Sequence, residues 1–76
     1  MKSLRKQANA APKYVLHHPL GYLSNKQGLS GVNFCYKIAD AMEYAVGFDN
    51  PADKIGIWNA TLKVRQISGE FKAVNI

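Results

Sequence analysis

The sequence predicts a small α+β domain, an antiparallel sheet of four or five strands packed against one main helix, behind a flexible basic N-terminal arm. Three observations carry this. Two β-branched and aromatic runs, Lys13–His18 and Thr61–Ile67, are bounded by turn residues. Between them, Asn50-Pro51 is a helix start. Finally, 47% apolar residues and eight aromatics in a chain of 76 residues supply one core and leave no room for a second domain. One Cys and two His at no recognisable spacing provide neither an internal disulfide nor a structural zinc site, so packing alone must hold the fold. A domain of this size buries only roughly 60% of its unfolded surface, so a homodimer or a larger partner is expected.

Residues 1–12 are basic, small and polar, and read as the arm; the domain proper is 13–76. Lys13-Tyr-Val-Leu-His-His18 reads as a first strand, broken by Pro19-Leu20-Gly21 before Tyr22-Leu23-Ser24 returns as the second half of a hairpin. Asn25 to Asn33, with two Gly, two Asn and Ser, reads as a loop long enough to be mobile or to carry contacts. From Phe34 to Phe48 two periods compete. Ile38, Ala41, Met42 and Ala45 have helical spacing, whereas Met42, Tyr44, Val46 and Phe48 alternate. The preferred reading is a helical turn near 37–41 and a strand near 42–47; a continuous helix over 37–46 closing on Gly47 is the alternative.

Asn50 as N-cap, Pro51 at the first position and Asp53 in the first turn predict a helix from Pro51 to about Asn59. Its stripe of Ala52, Ile55, Trp58 and Leu62 faces the sheet. Thr61–Ile67 alternates as a strand, and Ser68-Gly69 turns it into Glu70–Val74 as a closing hairpin. That hairpin sets Arg65 opposite Lys72 with Lys63 two residues along. Such like-charge pairing is unfavourable unless an anion or acidic surface relieves it. A solvated or edge-protecting charged face is the plainer explanation of the same residues.

Charge is lopsided. Residues 1–39 hold Lys2, Arg5, Lys6, Lys13, Lys26 and Lys37 without an acid, while residues 40–76 hold four cations against five acids. That asymmetry and the net +5 suit a phosphate backbone, an acidic protein, an anionic membrane surface or plain solubility. No apolar run follows the first cations as a secretory signal requires, and none approaches the roughly 20 residues of a membrane span. A cytoplasmic protein with no membrane partner is the expectation.

Chemistry is hard to find in the sequence. His17 and His18 are adjacent in a strand and so point to opposite faces, which prevents chelation of one metal. No acid near them in sequence orients either as a base, and Cys35 reads as a small buried hydrophobe. Gly28-Leu29-Ser30-Gly31 is neither a nucleophile elbow nor a phosphate cradle. No catalytic residue, cofactor or metal ligand is assigned, and a noncatalytic protein is expected. Tyr14, Tyr22, Tyr36 and Tyr44 read as stacking platforms for bases or as core edges with wet hydroxyls.

The succession Tyr14-Val15-Leu16, Gly21-Tyr22-Leu23-Ser24, Asp40-Ala41-Met42-Glu43-Tyr44, Phe48-Asp49-Asn50-Pro51-Ala52-Asp53-Lys54 and Leu62-Lys63-Val64 resembles small accessory proteins encoded by phages and prophages. In proteins of that type a hairpin is followed by a linker, a short strand, one amphipathic helix and a returning strand. The resemblance implies an anti-defence factor of the anti-CRISPR kind, which binds a host protein or nucleoprotein complex and inhibits it by covering a surface. Lys2, Arg5, Lys6, Lys63, Arg65 and Lys72 are the candidate partner-binding residues. Direct DNA or RNA binding through the same six cations is the alternative.

Overall fold

The computed structural model describes residues 12–29 and 31–76, and shows one helix packed with a curled antiparallel sheet of five short strands. The expected arm, with Lys2, Arg5 and Lys6, lies outside the described residues apart from Pro12, whose carbonyl accepts the Val46 N–H at 2.9 Å. The elements are β1 (Lys13–His18), β2 (Gly21–Leu23), β3 (Phe34–Cys35), a 3₁₀ turn (Ile38–Asp40), β4 (Tyr44–Ala45), α1 (Pro51–Val64) and β5 (Lys72–Asn75).

β1 is the axis of the sheet. Along one edge it pairs with β5, from Tyr14 opposite Asn75 to His17 opposite Lys72. Along the other edge, β2 takes its C-terminal end (His17 opposite Tyr22) and β4 its N-terminal end (Tyr14 opposite Tyr44). Tyr14, Leu16 and His18 point into the core, and Val15, on the reverse side next to Val74, is buried as well. A strand covered on both faces accounts for the nearly unbroken apolar run Tyr-Val-Leu. Gly21 sits at φ +136°, and a Cβ there would come within 2.7 Å of the Cys35 carbonyl, so only glycine lets β3 approach β2 so closely.

The 25–33 loop is pinned at its base. Ser24 N–H donates to the Asn33 carbonyl, and Gln27 Nε2 donates to the carbonyls of both Ser24 and Asn33. Residues 37–46 follow the preferred reading, a helical turn and then a short strand; the continuous helix does not form.

The closing hairpin is the main correction. Thr61–Val64 is the last turn of α1, not a strand, so Arg65 does not face Lys72. The same four residues that alternate also continue a helical stripe, because Leu62 lies four residues after Trp58 and seven after Ile55. Leu62 is fully buried there, and this packing outweighs the few tenths of a kcal/mol that Thr and Val lose in a helix. Ala52, expected on the buried stripe, is exposed. The helix ends by backbone geometry: Gln66 takes φ +61°, its N–H bonds the Lys63 carbonyl, and Ile67 N–H bonds the Leu62 carbonyl at 2.8 Å. At the other end Asn50 Oδ1 accepts the Ala52 N–H at 2.9 Å, which is the expected cap.

The core consists of Tyr14, Leu16, Leu23, Leu62 and Phe71, flanked by half-buried Phe34, Met42, Tyr44, Ile55, Trp58 and Ile67. Two polar ties lock α1 onto it. Asn59 Oδ1 accepts the N–H of buried Phe71, and Trp58 Nε1–H donates to the Tyr44 hydroxyl, which itself donates to Met42 Sδ.

Candidate interaction surface

The ladder between β1 and β5 places Lys72 beside His17, and the segment leading into β5 crosses in front of His18. This crossing is close because residue 69 is glycine. Gly69 has φ +98°, and a Cβ on it would lie 2.7 Å from His18 Nε2. The buried His18 ring is held at both nitrogens: Leu20 N–H donates to Nδ1, which puts the proton on Nε2, and Nε2–H donates to the Ser68 carbonyl at 2.9 Å. Phe34 and Phe71 flank the ring. His18 therefore fastens the β1–β2 turn to the chain entering β5, and its polar atoms are consumed by that role.

Outside this fastening lies an open cleft of about 360 Å³ lined by His17, His18, Pro19, Gly69, Glu70 and Lys72. His17 is exposed, with its ring against Tyr22 at 4.7 Å between centroids. His18 is buried and His17 exposed, although both border the cleft. The cleft offers one carboxylate, one ammonium and one imidazole around an apolar floor, which suits a segment carrying both apolar and charged groups. Among the described residues no three His, Cys, Asp or Glu side chains gather as metal ligands. Cys35 is half-buried rather than fully buried, because its two-residue strand lies at the sheet edge; its Sγ contacts the Lys37 carbonyl at 3.3 Å.

The predicted cations do not form one row. Lys63 occupies the last turn of α1 and Arg65 its C-cap, where both complement the negative helix end. The Arg65 guanidinium reaches the Leu29 carbonyl through a long 3.4 Å hydrogen bond, while Lys72 stands at the cleft on another element. The tyrosines divide as well. Tyr14 is wholly buried, its hydroxyl donating to the Asp49 carbonyl at 2.7 Å, whereas Tyr36 is exposed. Burial first, then the Asp49 carboxylate, with Tyr44 and Asp53 adding, raises the Tyr14 pKa above its ordinary value. Lys54 joins this cluster, 3.5 Å from Asp49 and over the Tyr44 ring.

The surface feature that the sequence reading missed is apolar. Leu29, Phe48 and Tyr36 are 101%, 91% and 86% exposed, and Leu20, Ile38, Val46, Ile57, Val64 and Ile76 are also largely in solvent. Part of this was available in the sequence: Leu29 lies in a stretch of Gly, Ser and Asn, and Phe48 lies between Gly47 and the helix cap, positions from which no strand or helix face could bury them.

No family model matches the chain, and no curated protein or solved structure matches it significantly.

Proposed function

We propose that this chain is a cytoplasmic, noncatalytic binding protein that covers a surface of a partner protein or nucleoprotein complex, inhibition of a host complex being the specific form that the phage-type layout implies. One observation supports it above the others. Among the described residues, nine large apolar side chains are exposed. Monomeric domains expose single apolar residues routinely, but Leu29 and Phe48 project almost wholly into solvent beside seven more, which suits a protein that works in a complex. Charged side chains at two places, Glu70 and Lys72 at the cleft and Lys63 and Arg65 at the end of α1, add selectivity and on-rate rather than area. No helix among the described residues is long and apolar enough to cross a membrane.

Affinity capture from nuclease-treated bacterial lysate at physiological salt tests the proposal. The expected result is one stoichiometric protein complex, retained by the wild type and lost in Leu29→Ser and Phe48→Ser variants, whose altered side chains lie outside the core. Reversal of Lys63, Arg65 and Lys72 to Glu should slow its capture. Retention only when nucleic acid is left intact, with steep loss in salt, would instead establish direct nucleic-acid binding.

A further inference from the structure

Helix α1 has a second face that nothing among the described residues covers. At 100° per residue, Ile55, Trp58 and Leu62 point into the core, and the strip diametrically opposite is Asp53, Ile57, Ala60 and Val64, flanked by Gly56 and Lys63. All six are exposed, Ile57 by 57% and Val64 by 78%. A solvated helix face is ordinarily polar, but this one carries charge only at its two ends, Asp53 in the first turn and Lys63 in the last. Neither forms a salt bridge among the described residues, where Lys13–Glu43 and Lys54–Asp49 are the ion pairs.

That arrangement is complementary to itself. An antiparallel second copy whose two-fold axis passes level with residues 58 and 59 puts Ile57 against Ala60 of the other copy, twice, so each large side chain meets a small one. The same register lays Val64 over the Asp53 stem and brings each Asp53 carboxylate within reach of the other copy's Lys63. Apolar packing and charge agree on one alignment, and symmetry satisfies every contact in duplicate. A parallel pairing would oppose like charges at both ends. We infer that the outer face of α1, Asp53, Ile57, Ala60, Lys63 and Val64, is an antiparallel homodimer contact. One helix face about 21 Å long gives less than the roughly 1,000 Å² of a persistent interface, so the association is reversible and concentration-dependent. It shares Ile57, Lys63 and Val64 with the exposed surface invoked above but requires no outside partner.

Sedimentation velocity of the purified full chain over a wide concentration range tests it. Wild type should shift from monomer to dimer, and Val64→Glu, altering a side chain outside the core, should remain monomeric. Asp53→Lys and Lys63→Asp should each weaken self-association about tenfold, since each replaces two attractions with two repulsions. Mixing these two variants should restore it. In the heterodimer the lysine introduced at position 53 of one chain meets the aspartate introduced at position 63 of the other, and the unaltered Lys63 and Asp53 meet at the opposite end. A wild type that stays monomeric throughout, or a Val64→Glu variant that dimerises like wild type, overturns the inference. A wild type that dimerises but retains no protein complex from lysate would refute only the function proposed above.

Discussion

Replacing Gly69 with Ala tests how the cleft is built. The new Cβ would sit 2.7 Å from His18 Nε2, 3.1 Å from Cε1 and 3.4 Å from the Pro19 ring, on a backbone at φ +98° that L residues avoid. His18 cannot swing aside freely, since its ring is buried, bonded at both nitrogens and flanked by two phenylalanines. The backbone strain costs about 1–3 kcal/mol and the displaced Nε2–H···O bond about 1 kcal/mol more, for a total of about 2–4 kcal/mol. A domain of this length is stable by roughly 4–11 kcal/mol, so the variant retains half or less of that at the lower end. Urea unfolding followed by Trp58 fluorescence should show the midpoint falling by about 2–4 M at a slope of ~1 kcal/mol/M. In a His18→Ala background the clash disappears and only the backbone strain should remain, making the two changes markedly non-additive. A Gly69→Ala unfolding free energy within about 0.5 kcal/mol of wild type would refute the close approach.

Three further outcomes follow from other contacts. Asn59→Ala leaves the buried Phe71 N–H without its acceptor and should cost about 1–3 kcal/mol in the same urea assay, against a few tenths for Ala substitutions on the outer face of α1. Gln66→Gly should stabilise by about 0.5–1 kcal/mol, read as a higher thermal midpoint, since the position is left-handed and glycine removes the strain at a smaller entropic cost. Because the Tyr14 pKa is raised on folding, its contribution is complete below about pH 10, the unfolded value, and is lost as pH rises beyond it. The stability gap between wild type and Tyr14→Phe, measured by urea titration, should therefore narrow through that alkaline range; a constant gap would show that the hydroxyl does not titrate with folding.

The elements whose signals are local were legible in the sequence. The β1–β2 hairpin needed only Pro19-Leu20-Gly21 between two apolar runs, and the start of α1 needed only Asn50-Pro51. What failed was the segment in which two periods coincide. Thr61–Val64 satisfies strand alternation and helix periodicity together, and only the core position awaiting Leu62 decides between them. The helix terminus was hidden for a related reason, since Gln66 adopts a conformation usually signalled by glycine. With Thr61–Val64 helical there is no basic ladder: Lys63 and Arg65 sit together at the end of α1, and Lys72 stands on β5. The cleft could not be read at all, because it depends on Gly69 meeting His18, 51 residues earlier in the chain.

The pairing of β1 with β5 has a kinetic consequence. Its partners are 55 to 61 residues apart in sequence, from His17–Lys72 to Tyr14–Asn75, so the central ladder closes nearly the whole described chain into one loop. Closing a loop of that length costs about 3–4 kcal/mol of chain entropy before any contact across it forms. The hairpin and the first turns of α1 can form early on local contacts, but neither has a core until β5 arrives. Folding should therefore be slower than the small size suggests and all-or-none, with the ladder as its late, rate-setting event. For the same reason no half of the domain is a viable fragment, and peptides from either side of residue 50 should stay unfolded alone and regain structure only when mixed.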